Sequence, residues 1–256
     1  MKSGGITLRI LFLINFAGKA GTEKYVENLV RIFSSAGNEC HFAYNIAGEL
    51  SEKMAERGIP CLQLDMGGSP LAAARRLAEY CRGNKIEVIH AQYPRENIIA
   101  LLSLRRYSAP HVVYTNHLTI RSGLKWRLLN RIFTPKDHRI IAVCREGRDI
   151  MVENGVCPER IEVIYNGVEP EKHPVRDLSV RPELGIGEGE FMLSILARYA
   201  PEKGLFFLLD ALAQLKERMD APFACLIAGD GELFDAARVD GANKLKTIWH
   251  ITIPGI

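Results

Sequence analysis

The sequence predicts an α/β protein built on a doubly wound parallel sheet, and three observations carry that expectation. Short apolar runs such as Leu8–Ile14 are nearly continuous, as in strands buried on both faces of a parallel sheet. Stretches with helical apolar spacing alternate with them, for example Tyr25, Val26, Leu29, Val30 and Phe33. The loops between are short and carry Gly, Pro or a capping residue.

The elements follow in order. After the strand Leu8–Ile14, the loop Asn15–Gly21 leads to a helix that Thr22 can cap and that Gly37-Asn38 ends. Strands are expected at 40–43 and 61–64, with a small helix closing at 54–57. Ser69-Pro70 opens a helix to about Cys81, because Pro suits a first helical position. Strands at 85–90, 111–115, 139–143 and 161–164 then alternate with helices at 94–104, 125–133 and 145–154. The stretch from Glu169 to Glu190 is rich in Pro, Gly and charge and reads as a linker. We therefore expect an N-terminal domain over residues 1–170, a linker over 171–190, and a second Rossmann-like unit over 191–256. The second unit has a strand at 191–197, a helix at 202–219, a strand at 223–228 and a weak strand near 247–253. That is about half of a domain of ordinary size, so it is expected to be incomplete, with an exposed sheet edge and apolar helix faces.

Totals exclude several classes. Of the 256 residues, 47% are apolar and 25% charged, which is ordinary for a globular protein. The net charge of +3 gives no ground for a nucleic-acid partner. Six scattered Cys without a C-x-x-C pair fit a reducing cytoplasm, and no Cys/His cluster has the spacing of a metal site. No apolar run reaches the roughly 18 to 20 residues needed to span a bilayer. The start, with Lys2 before Ile10–Ile14, imitates a signal peptide, but Arg9 and Asn15 bracket the apolar core closely, and a first strand explains it better.

Candidate sites lie at strand ends. Ala197-Arg-Tyr-Ala-Pro-Glu-Lys-Gly204 follows a strand and precedes a helix. With Pro201 taken as the first helical residue, Arg198 and Lys203 stand beside a helix N-terminus, where dipole and amides favour a diphosphate. The alternative is a solvated loop. Gly18-Lys-Ala-Gly21 lets backbone approach a ligand at another helix start, but it is not G-x-G-x-x-G, and no acid ends the second strand to hold a ribose. His117 follows the strand 111–115 at the carboxyl edge, where it can orient a substrate hydroxyl or carbonyl, or simply bond to local backbone. His41 and His90 rank below it, and Asp230 reads first as an Asx turn. The helix 125–133 sets Lys125, Arg127 and Arg131 among Trp126, Leu128, Leu129, Ile132 and Phe133. Such a helix can lie on an anionic membrane, or it can pack its apolar face on the sheet.

Taken together and in order, these segments resemble a retaining glycosyltransferase of the GT-B fold, family 4. Ala20–Leu29 resembles the glycine loop and first helix of that family, and Val88-Ile-His-Ala-Gln92 its acceptor-side strand. Tyr114-Thr-Asn-His117 resembles the segment with the active-site His. The stretch from Ala142 to Val168 resembles the close of the N-terminal domain, and 197–204 and 228–233 resemble two donor-domain motifs. The resemblance implies a nucleotide-diphosphate sugar as donor, a cell-envelope saccharide or lipid as acceptor, and no cofactor or metal. It implies that Gly21 and Thr22 face the donor diphosphate, that His117 meets the transferred sugar, and that Arg198 and Lys203 neutralise the leaving diphosphate. It further implies cytoplasmic residence, at the inner face of the membrane if the 125–133 helix docks there, and a front-face displacement without a carboxylate nucleophile. Two departures stand out. Ala20 replaces the first loop glycine, and the family's donor-side Glu-x7-Glu segment is missing before Ile256. The pair Glu79/Glu87 has that spacing but falls on an N-domain helix and strand, so we take it as chance. The expectation is thus a glycosyltransferase chain cut short at its C-terminus. An inactive remnant and an acceptor-binding half of a split enzyme are the alternatives.

Overall fold

A computed structural model describes residues 7–167, 180–187, 189–197, 199, 203–219 and 221–229. The chain divides into two compact units, Met1–Glu169 and Pro170–Ile256.

The first unit alternates strand and helix without exception until its last strand. In order these are β1 (Arg9–Phe16), α1 (Gly21–Ser35), β2 (Glu39–Ile46), α2 (Glu49–Glu56), β3 (Cys61–Gln63), α3 (Pro70–Gly83) and β4 (Val88–Ala91). They continue with α4 (Pro94–Ser103), β5 (His111–Asn116), α5 (Leu124–Phe133), β6 (Arg139–Ala142), α6 (Arg145–Glu153) and β7 (Ile161–Val163). The seven strands form one parallel sheet in the order β3-β2-β1-β4-β5-β6-β7. Chain order reverses between β1 and β4, and ligands of such sheets bind at the carboxyl edge beside that reversal.

β1 shows why its run is apolar throughout. Leu11 and Leu13 point into one core with Leu77, Ile86 and Ile89, while Ile10, Phe12 and Ile14 point into the other with Val26, Val30, Phe42 and Met54. Both faces are covered, so neither can be polar.

Local signals hold in several places. Ser69 caps α3, its hydroxyl accepting from Ala72 N at 3.4 Å, with Pro70 at the first position. Gly37 takes φ +87° after α1. Thr22 does not cap α1. The helix begins one residue earlier, at Gly21, with Ala20 as a cap that offers no side-chain bond. The Thr22 hydroxyl instead accepts from the Tyr93 hydroxyl at 2.8 Å, which ties α1 to the start of α4.

The second unit contains α7 (Val180–Glu183), then β8 (Phe191–Leu196), α8 (Leu205–Arg218) and β9 (Phe223–Ala228). β8 and β9 pair in parallel, Ile195 opposite Ile227. The helix after β8 starts at Leu205, with Gly204 at φ +67° as its cap, and not at Pro201. The left-handed Gly204 turns the chain between loop and helix, which is why the start moves. Leu196, Phe206 and Phe207 are exposed in this unit. Arg198, Pro201, Asp230 and the expected strand 247–253 lie outside the described residues.

Candidate active site

The carboxyl edge of the sheet carries a cleft of about 630 Å³ within the first unit. Asn15 and Phe16 at the end of β1, Tyr93 and Glu96 after β4, Asn116 at the end of β5, and Trp126 on α5 line it. Ala20 and Glu23, at the start of α1, close one side. It lies where the order of the sheet reverses, and its volume is that of a small-molecule site.

His117 stands just past β5 beside this cleft, half-buried. The Tyr25 ring meets its imidazole edge-on at 4.9 Å, and the Tyr93 ring lies at 6.0 Å. Its Nε2 is 3.1 Å from Gln92 Oε1. Gln92 Nε2 donates to the His90 carbonyl at 3.2 Å, so Gln92 Oε1 faces His117 as an acceptor. The proton of His117 therefore sits on Nε2, and Nδ1 is left as an acceptor. Burial pushes the pKa of His117 down to about 4, so the ring is neutral at physiological pH. A neutral ring with a free Nδ1 can accept from a hydroxyl but cannot stand as a fixed cation. His90 is structural. It is buried, its Nε2 is 2.7 Å from Thr115 Oγ1, and burial followed by His117 lowers its pKa to about 3. His41 likewise bonds inward, with Nδ1 2.9 Å from the Tyr80 hydroxyl.

At the start of α1, a Cβ built on Gly21 meets nothing within 4 Å. The glycine is thus not required by packing, and open space lies over the first turn, whose amides have no side-chain cap. Gly48, ahead of α2, is by contrast a glycine that packing does require, since a Cβ there would stand 2.7 Å from the Ala17 carbonyl oxygen. In the second unit Lys203 is exposed, one residue before the Gly204 cap of α8. The structure thus brings His117 beside the cleft, with Gly21 and Thr22 following its Ala20 wall. Lys203 belongs to the other unit, and its expected companion Arg198 is outside the described residues.

The sequence reading missed three contributors. Gln92 fixes the His117 tautomer, Tyr93 frames the ring, and Glu96 lines the cleft, 1% exposed. Burial marks Gln92 and Glu96, and the ring contact with His117 marks Tyr93.

The sequence model of Glycosyltransferase Family 4 matches residues 20–172, and that of glycosyl transferases group 1 matches residues 178–246. The chain belongs to Glycosyltransferase Family 4. The family stretch carries six of the seven strands of the sheet, most of the cleft and His117.

Among its relatives is an Escherichia coli UDP-Gal:alpha-D-GlcNAc-diphosphoundecaprenol alpha-1,3-galactosyltransferase, 27% identical over 202 residues, covering 70% of this chain and 51% of that protein. The chain thus spans about half the length of that relative. A glycosyltransferase from Rickettsia africae superposes with a TM-score of 0.73 at 18% identity, over 88% of this chain and 61% of that one. Anabaena Alr3699/HepE, solved in complex with UDP, gives a TM-score of 0.75 at 17% identity, over 96% of this chain and 67% of that one. These likenesses show the GT-B fold.

Proposed function

We propose that this family member transfers a sugar, with retention, from a nucleotide-diphosphate donor to a lipid-linked saccharide acceptor. The match of the family to residues 20–172, which frame the carboxyl-edge cleft, carries the reading. The E. coli relative is named for a UDP-galactose donor and a diphosphoundecaprenol-linked acceptor, and HepE was solved with UDP, which supports both substrate classes. In this scheme the acceptor saccharide occupies the cleft and His117 meets the transferred sugar through Nδ1. Gly21 and Thr22 present the open first turn of α1 to the donor diphosphate. Arg198 and Lys203 then offset the negative charge that grows on the diphosphate as its bond to the sugar carbon breaks. Cations held in place before that charge develops lower the barrier. No metal or cofactor enters this scheme. The test is transfer from a panel of UDP-sugars to an N-acetylglucosaminyl diphosphate lipid. Arg198→Ala and Lys203→Ala are each expected to lower turnover by about 10²- to 10³-fold. Neither transfer nor donor hydrolysis by the chain, or full turnover in both variants, would overturn the reading.

We further propose that α5 rests on the anionic inner face of the membrane, where such an acceptor would be held. Among its ten residues only Asn130 is buried. Leu124, Leu128 and Ile132 recur at helical spacing and are 84%, 59% and 50% exposed, with Lys125, Arg127 and Arg131 around them. The alternative drawn from sequence, apolar packing of this helix on the sheet, holds at its end, where Phe133 packs against the core, while Leu124, Leu128 and Ile132 stay outside it. Among the described residues no helix is long and apolar enough to cross a membrane, so contact would be peripheral. The chain is expected to co-sediment with vesicles containing phosphatidylglycerol and not with pure phosphatidylcholine. Leu128→Glu with Arg131→Glu should abolish it, since each basic residue near such a surface contributes about 1 kcal/mol. Equal sedimentation with both vesicle types would refute the contact.

A further inference from the structure

Several polar side chains that line the carboxyl-edge cleft have partners inside the fold. Asn15 Oδ1 accepts from Asn45 at 2.9 Å. Asn116 closes a local turn, its Nδ2 donating to the Leu118 carbonyl at 2.9 Å. Asn154 clasps the loop ahead of α5, accepting from Ser122 N at 2.7 Å and donating to the Ile120 carbonyl at 2.8 Å. Arg121 pairs with Glu153 at 2.8 Å. Glu96 differs from these. It is 1% exposed, yet its Oε1 has no partner among the described residues. A buried acceptor without a donor destabilises a fold, and natural interiors seldom keep one. A position at the third residue of α4 suits an acid, but an exposed acid would serve that purpose as well. Its burial in the lining of the cleft is what the helix alone does not explain.

We propose that Glu96 is an acceptor-binding residue, whose carboxylate accepts a hydrogen bond from a sugar hydroxyl of the acceptor saccharide seated in this cleft. The inference rests on the glycosyltransferase reading above and adds the residue that recognises the acceptor. A hydroxyl supplies the donor that Oε1 lacks, and Trp126 and Tyr93 offer apolar faces for the C–H side of a sugar ring. A carboxylate in a dry site discriminates by the same means, because an acceptor without that hydroxyl leaves the charge unpaired. Burial raises the Glu96 carboxyl to about 7, while a hydrogen bond from its own backbone, the Arg95 charge and a hydrogen bond from the Asn15 backbone pull the other way. Glu23 of α1 and Arg121 line the same cleft, and Tyr114 of β5 feels the charges of both Glu96 and Asp137. Saccharide binding through the carboxylate should therefore tighten as pH rises through about 7.

The probe is N-acetyl-α-D-glucosaminyl diphosphate on a short isoprenyl chain, with glucose as a second saccharide. Of the two Trp, Trp249 is replaced by Phe so that Trp126 reports binding by fluorescence. The full chain is compared with its Glu96→Ala and Glu96→Gln variants, each checked for folding by circular dichroism. Glu96→Ala should weaken binding by about tenfold or more, the loss of one bond to a charged group. Glu96→Gln should bind with intermediate affinity and without pH dependence between about 6 and 8. Equal affinity in Glu96→Ala, a surviving pH dependence in Glu96→Gln, or no saccharide binding by the wild-type chain would each overturn the assignment. Binding of UDP is followed in parallel. Its absence together with intact, Glu96-dependent saccharide binding would sink the donor chemistry and leave Glu96 as a saccharide-binding residue.

Discussion

Replacing Glu96 by Gln is expected to stabilise the seven-stranded unit by about 3 kcal/mol near pH 7.5 and to change nothing near pH 4.5. The reason is a balance among four groups whose titration burial shifts. Burial raises Glu96 and Asp137 each to about 7, the latter opposed by the hydrogen bond from Asn97 at 2.9 Å. An acid whose pKa is higher in the folded chain favours folding while it is protonated. That contribution is complete below the ordinary carboxylate range and is lost as pH rises towards 7. His90 and His117 are shifted the other way, to about 3 and about 4. Their neutral forms favour folding above the ordinary imidazole range, and that contribution is lost as pH falls. Between about pH 4.5 and 6.5 the unfolded chain holds two protons more on these His and two fewer on these carboxyls. The slopes cancel, so the wild type should be nearly flat there. Glu27, Glu39 and Glu153, held low chiefly by hydrogen bonds and charges from their partners (for Glu27 against its own burial), titrate below this window. Gln imitates the neutral acid and removes one falling slope. Stability of Glu96→Gln should then climb by roughly 1.4 kcal/mol per pH unit across the window. Urea denaturation at several pH values measures it. Parallel profiles for wild type and variant would show that Glu96 is ionised in the folded chain at all these pH values.

Much of the fold was legible because each element carries its own pattern. β1 had to be apolar on both faces, and Ser69-Pro70 had to open a helix. His117 could be found because its strand ends there and parallel sheets bind ligands at that edge. The rest depends on partners distant in sequence. Nothing near Thr22 tells that its hydroxyl answers Tyr93. Glu96, between Arg95 and Asn97 in a first helical turn, reads as a solvated acid until the sheet buries it. The start of α8 moved because Gly204 adopts a left-handed conformation, which a Gly permits but does not announce. The setting of α5 was the hardest to foresee, because a backbone contact helps fix it and Phe133 alone of its apolar residues packs on the core.

A backbone contact at Gly155 makes Gly155→Ala a strongly damaging small substitution in the first unit. Gly155 follows α6 at φ +82°, and a Cβ there would lie 2.7 Å from the Arg127 carbonyl oxygen and 3.1 Å from Arg131 Cγ. α5 therefore docks by its backbone on a glycine, with Asn130 Nδ2 bonding the Asn154 carbonyl at 2.9 Å and Thr134 bonding the Asn130 carbonyl at 2.7 Å. With Phe133 packed on the core, this is how a helix with one buried residue stays in place while Leu124, Leu128 and Ile132 face outward. Alanine adds two penalties. The left-handed backbone costs a residue with a Cβ about 1 to 2 kcal/mol, and the overlap with a main-chain oxygen adds roughly 1 to 3 more as α5 is pushed away. Gly37→Ala separates the two, since Gly37 has φ +87° but open space around its Cβ. It should show the first penalty alone, measured by the same denaturation. The difference between the variants is the cost of displacing α5. Because Trp126 and Asn130 of that helix line the cleft, Gly155→Ala should also shift Trp126 fluorescence and weaken saccharide binding, while Gly37→Ala leaves both unchanged. Equal destabilisation by the two substitutions would mean that α5 yields freely, and that the contact at Gly155 does not hold the helix against the cleft.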